Sequence, residues 1–139
     1  MGNLLLVDDD HDTGDLLGDI LHAKGHEIRV ARSGHEGLRR ITERAPDLLL
    51  LDVEMPLLSG PEMAYLLMLR NCGDEKIPVL LLSGIVGLDR VAAEVGTPYF
   101  LAKPYEVAAV LRLVDRALVE RTAPTWKIQR GNHDADAHT

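Results

Sequence analysis

Cysteine is nearly missing from this chain: Cys72 is the only one among 139 residues. A single thiol closes no internal disulfide, and no Cys/His spacing of the zinc type accompanies it. The pattern fits a reducing compartment and an unreactive thiol near a helix end. Basic charge is also short, with 15 Lys and Arg against 22 Asp and Glu, for a formal net charge of −7. Nonspecific nucleic-acid binding depends on basic side chains that neutralise phosphates, so direct binding to nucleic acid is not expected. No apolar run approaches the ~18 residues of a membrane span. Met1-Gly2-Asn3 leads into a strand without a basic leader or a cleavage site. Gly2 would suit myristoylation, but that motif wants Ser or Thr at the position held by Leu6. The expectation is a cytoplasmic protein that touches no membrane. Internal repeats are absent as well.

What is present is a repeated placement. Four apolar runs each end on a polar residue suited to phosphate chemistry: Leu4-Leu5-Leu6-Val7 on Asp8-Asp9-Asp10, Leu48 to Leu51 on Asp52, Val79 to Leu82 on Ser83, and Phe100-Leu101-Ala102 on Lys103-Pro104. Short continuous apolar runs that alternate with helix-period segments read as strands of a parallel sheet buried on both faces. In such a sheet the carboxyl ends of the strands form the ligand crevice, so the acidic groups, the hydroxyl and the lysine should meet there. With 46% hydrophobic and 27% charged residues, the composition is that of one folded domain.

The periodicity predicts a helix over 11–24 with Leu16, Leu17, Ile20 and Leu21 on one face, stopped by Gly25. A second strand is expected over 26–31. Ser33-Gly34-His35-Glu36 has capping-box spacing and opens a helix to about Arg44. Ser59-Gly60-Pro61-Glu62 repeats a helix start, before a helix that carries Met63, Leu66, Leu67 and Arg70. A short helix over 88–95 should end at Gly96, and a last helix over 106–120 sets Val107, Val110, Leu111, Val114 and Leu118 three and four apart. Strands and helices therefore alternate strictly. Right-handed crossovers turn that alternation into one α/β, doubly wound parallel five-stranded sheet. Beyond Glu120, residues 121–139 are polar and read as a mobile tail, with Trp126 expected to pack against the domain.

Adjacent carboxylates repel one another unless a cation neutralises them, and Mg²⁺ takes oxygen ligands, which suits Asp8 and Asp9. For Asp10 or Asp12 a solvated turn or the N-cap of the first helix is as good a reading as a place in the acidic site, which does not hold for the pair Asp8 and Asp9. Asp52 closes an apolar strand, where a lone carboxylate needs a metal or a lysine, and a carboxylate is also a nucleophile toward phosphorus. Phosphoryl transfer is chiefly positioning plus charge neutralisation, which the acidic pair with Mg²⁺ and Lys103 would supply, with Ser83 donating to a phosphoryl oxygen. Lys103-Pro104 is free to be trans or cis, the X–Pro penalty being small.

The segments LLLVDDD, LLLLDVEMP, PVLLLSG and YFLAKP, in this order, resemble the receiver domain of bacterial two-component response regulators over 3–120. The resemblance implies a (βα)₅ sheet of flavodoxin-like order 2-1-3-4-5, with a receiver domain over 1–120. It makes Asp52 the phosphoacceptor, charged from the phosphohistidine of a sensor histidine kinase or a phosphotransfer protein. Asp9 would ligate Mg²⁺ directly, Asp8 would act through water, and Asp52 and the main-chain carbonyl of Glu54 would complete the metal site. Ser83 takes the switch-hydroxyl position, Lys103 that of the phosphate-binding lysine and Phe100 that of the switch aromatic. Phosphorylation would draw Ser83 in, let Phe100 turn, and remodel the face of the fourth helix, fifth strand and fifth helix toward an output protein or a second copy of the chain.

Departures from the family pattern are also informative. Phe100 has no hydroxyl for an outward hydrogen bond and is expected to be buried. Gly84 follows Ser83 where alanine is common, and the interval from Ser83 to Lys103 is shorter than is usual. Ile85 is expected to cover the phosphoryl group and exclude water. With no helix-turn-helix and no further domain in the sequence, the chain reads as a single-domain regulator or an excised receiver, not an enzyme beyond its own phosphorylation and dephosphorylation. Two alternatives stand beside it. One is a haloacid-dehalogenase-type phosphatase, whose Asp-x-Asp-x-Thr motif Asp52-Val53-Glu54-Met55 fits poorly. The other is a pseudo-receiver scaffold that is never phosphorylated.

Overall fold

A computed structural model describes residues 2–52 and 63–125. Five strands, β1 (Asn3–Asp8), β2 (Glu27–Ala31), β3 (Leu48–Asp52), β4 (Val79–Ser83) and β5 (Tyr99–Ala102), alternate with α1 (His11–Ala23), α2 (Gly34–Glu43), α3 (Met63–Asp74), α4 (Leu88–Val95) and α5 (Val107–Glu120). All strand pairs are parallel and lie in the order β2-β1-β3-β4-β5. This is the doubly wound parallel sheet expected from the alternation, in the flavodoxin-like order that the resemblance implies.

The two-residue period of a strand sends successive side chains to opposite faces, and that alternation builds two cores. Leu4, Leu6, Leu48, Leu50, Leu80, Leu82 and Tyr99 pack on Leu17 and Leu21 of α1 and on Val110, Val114 and Ala117 of α5. Leu5, Val7, Leu49, Leu51, Val79 and Leu81 face Ile41 of α2, Met68, Leu69 and Cys72 of α3, and Leu88, Ala92 and Val95 of α4. Each fully buried leucine contributes roughly 1.5–3 kcal/mol relative to exposure, so the leucine-rich strands dominate stability.

Helix faces are where periodicity misassigned residues. Leu16 is 63% exposed while Leu17 and Leu21 form the α1 seam, so the predicted stripe is narrower than four residues suggest. In α3 the buried side carries Tyr65, Met68, Leu69 and Cys72, and Leu67 is exposed. The run from Met63 to Leu69 is apolar nearly all round, so its period does not select a face. Ser33 accepts from Glu36 N at 3.1 Å as predicted, whereas the Glu36 carboxylate accepts from Arg32 N at 2.9 Å. At Gly34 a Cβ would lie 2.8 Å from Tyr65 N, so this glycine sets how closely α2 and α3 approach.

Among the described residues no helix is long and apolar enough to cross a membrane. After α5, Thr122 N donates to the Tyr99 hydroxyl at 3.3 Å and Pro124 is buried, so residues 121–125 lie against the domain. Trp126 and the proposed helix start at 59–62 lie outside the described residues.

Candidate functional site

The site forms where β1, β3 and β5 end. Asp8 and Asp52 are register partners, the last residues of their strands, and neither side chain is exposed. Parallel neighbours lie about 4.8 Å apart, which brings the two carboxylates into one pocket. Lys103, just past β5, reaches across with Nζ 2.7 Å from Asp52 Oδ1. Its backbone is tied to the sheet by Lys103 N donating to Ser83 O at 2.9 Å, and the bond to Pro104 is cis.

Burial pushes the Asp8 carboxyl up to about 6. The charges of Asp52 and Asp9 push the same way, against the Asp10 N–H, which donates to Asp8 Oδ1 at 2.8 Å, and against Lys103. Asp8 Oδ2 is buried with no hydrogen-bond partner among the described residues. Asp9 is exposed at the rim. Asp10 sits at the N-cap of α1, its carboxylate accepting from Asp12 N at 3.0 Å. A Mg²⁺ ion is usually held by only one or two carboxylates plus waters. A buried carboxylate oxygen that lacks a donor, beside a second carboxylate, fits such a cation, although no set of three His, Cys, Asp or Glu side chains converges among the described residues. Glu54 lies outside them.

Ser83 is buried at the end of β4, with Oγ accepting from Ile85 N at 3.2 Å. Ile85 packs partly against the core under α3 and α4. Phe100 is 37% exposed, contrary to the burial expected of it. The reason is strand alternation: Tyr99 takes the fully buried position facing α5, and Phe100 points to the opposite face of the edge strand, beside the short α4. The hydrophobic effect on one ring cannot reverse that parity.

Two residues of the site escaped the sequence reading. The Tyr105 hydroxyl donates to Asp52 Oδ2 at 3.3 Å, and burial together with the Asp52 charge pushes its pKa up to about 12. Its signal was modest, an aromatic two residues beyond Lys103. Arg32, after β2, donates to Asp15 at 2.6 Å and passes over the first turn of α1, where a Cβ on Gly14 would lie 2.6 Å from its Nη1 and 3.2 Å from Asp8 Cβ. That arginine therefore reaches the edge of the acidic pocket.

Residues 4–115 match the response regulator receiver domain family. The chain belongs to that family. It is 37% identical over 124 residues to the transcriptional regulatory protein PrrA of Mycobacterium tuberculosis, covering 88% of this chain and 52% of that protein. The chain thus spans about half the length of the curated relatives it matches. Among solved structures, the receiver domain of NtrX from Brucella abortus superposes with a TM-score of 0.69 at 31% identity, over 84% of this chain and 98% of that one. A putative response regulator from Chloroflexus aurantiacus gives 0.71 at 30% identity, over 85% and 98%. The protein is therefore a receiver of the two-component type.

Proposed function

We propose that this receiver is a phosphorylation switch in which Asp52 accepts a phosphoryl group from the phosphohistidine of a sensor histidine kinase or phosphotransfer protein. The observation that carries this reading is the 2.7 Å pair between Lys103 Nζ and the buried carboxylate of Asp52, in register with Asp8. An Asp52 oxygen attacks phosphorus while the N–P bond of the donor breaks, its electron pair remaining on the imidazole. Lys103 neutralises charge on the phosphoryl oxygens. Asp8, Asp9, Asp52 and the carbonyl of Glu54 would hold Mg²⁺, which supplies further neutralisation when bound.

Ser83 then donates to a phosphoryl oxygen, giving up its contact with Ile85 N, and that movement is felt at Phe100. The output surface is the α4-β5-α5 face, read by a protein partner or by a second copy of the chain in the cytoplasm. Supporting this, Phe100 and Val107 are already partly exposed there. The transcriptional role in the name of PrrA belongs to a protein about half of which this chain matches. The net charge of −7 favours output through protein contact over direct DNA binding.

Intact-mass measurement after incubation with acetyl phosphate and Mg²⁺ tests the reading. One phosphoryl adduct is expected on the parent chain and none on Asp52→Asn. The reading is falsified if the parent gains no adduct or the variant gains the same one. A parent without adduct would be a scaffold, and repeated turnover of phosphate esters would mark a phosphatase.

A further inference from the structure

Lys103 and Tyr105 approach the two oxygens of Asp52 from the same turn. The ammonium sits on Oδ1 at 2.7 Å, and the Tyr105 hydroxyl donates to Oδ2 at 3.3 Å. The Tyr105 ring is partly buried against the core of Leu4, Leu6 and Leu50, so its hydroxyl is held by packing and does not sample solvent freely. An ion pair on one oxygen and a hydroxyl hydrogen bond on the other restrain the plane of the carboxylate, because rotation about its last torsion would lengthen one contact or both. They also make the oxygens unequal. The ammonium is in ion-pair contact with Oδ1 at 2.7 Å, whereas the hydroxyl lies 3.3 Å from Oδ2, beyond the usual O–H···O range, so Oδ2 is the more readily released.

We propose that Tyr105 is a positioning residue that holds Asp52 Oδ2 in the unphosphorylated state and must release it for phosphoryl transfer, so that its hydroxyl restrains the rate of phosphorylation. The inference rests on Asp52 being the phosphoacceptor. In the step itself, an Oδ2 lone pair forms the O–P bond as the bond from phosphorus to the donor breaks, the electron pair leaving with the donor. The Tyr105 hydrogen bond is lost from Oδ2 and re-forms on a phosphoryl oxygen. No proton is consumed, and the hydroxyl stays protonated throughout.

Tyr105→Phe keeps the ring and removes the donor. With phosphoramidate and Mg²⁺, its maximal rate of adduct formation should exceed the parent's by about two- to tenfold, the rate equivalent of one net hydrogen bond. Half-saturation by phosphoramidate should not change. A purely structural role would loosen the fold and would not raise the maximal rate. Tyr105→Leu, which also removes ring packing, should lower the unfolding midpoint where Tyr105→Phe does not. A Tyr105→Phe rate equal to or below the parent's overturns this inference alone. A parent that forms no adduct overturns the phosphoacceptor reading, and this one with it.

Discussion

Asp8 and Asp52 are register partners at the ends of β1 and β3, two unexposed carboxylates a strand spacing apart. They are treated unequally. Asp52 has Lys103 at 2.7 Å and the Tyr105 hydroxyl at 3.3 Å, whereas Asp8 keeps one oxygen without a donor among the described residues. A site of this kind stores unfavourable charge that a bound cation would relieve, which is a common reason functional carboxylates weaken the fold that carries them.

Asp8→Asn should therefore stabilise the metal-free protein. The Asp8 carboxyl moves from 3.8 to about 6 on folding, so the native state holds its proton more tightly than the unfolded chain does. That contribution is fully present below 3.8 and is lost as pH rises through about 6. At neutral pH the variant is expected to gain about 1–3 kcal/mol in urea unfolding, with the gain shrinking toward pH 4. Added Mg²⁺ should stabilise the parent and leave the variant unchanged. A variant less stable than the parent at neutral pH would contradict the assignment.

Removing the ammonium should have the opposite effect. Lys103→Met leaves the buried Asp52 charge without its ion-pair partner, and we expect a loss of about 1–4 kcal/mol. Asp52→Asn in the same background should recover most of it, because the stranded charge is then gone. Urea unfolding of the two single variants and the double variant measures this coupling. Additive effects would mean that the 2.7 Å pair contributes nothing to stability.

Gly96 tests the placement of residues 121–125. Its φ is +85°, and a Cβ there would lie 2.5 Å from Thr125 N. Gly96→Ala is expected to cost about 1–2 kcal/mol for the left-handed backbone, with a further penalty for displacing Thr125. In a chain shortened to end at Arg121 only the first part should remain. Equal penalties in the two chains would show that Thr125 is not held there.

Cys72 is unexposed, and burial pushes its thiol up to about 12. The thiolate is the reactive form, so the folded protein should resist iodoacetamide at neutral pH and react fully once denatured, as intact mass would report. Rapid labelling of the native protein would contradict this.

Much of the architecture was legible because its causes are local. Leu88–Val95 and its Gly96 stop follow from helix period and from a glycine that tolerates positive φ. The Ser33 cap follows from one side chain reaching the Glu36 N–H, three residues on. Asp8, Asp52 and Lys103 were readable as site residues because each ends an apolar run, and parallel strands align their carboxyl ends. Tyr105 was not readable, since its contact with Asp52 joins positions 53 residues apart, and Phe100 was misjudged because strand parity, rather than its lack of a hydroxyl, sets its exposure.

By itself the sequence determined the alternation of strands and helices, their assembly into one doubly wound parallel sheet and the set of polar groups at the strand ends. Those follow from periodicity, capping and chain connectivity, which act over a few residues at a time. Tertiary structure decided which residue met which. The register of β1 against β3 put Asp8 beside Asp52, the turn after β5 brought Lys103 and Tyr105 to opposite oxygens of one carboxylate, and edge-strand parity left Phe100 facing outward. Such pairings depend on the packing of distant segments, and no local pattern of residues encodes a distance between them.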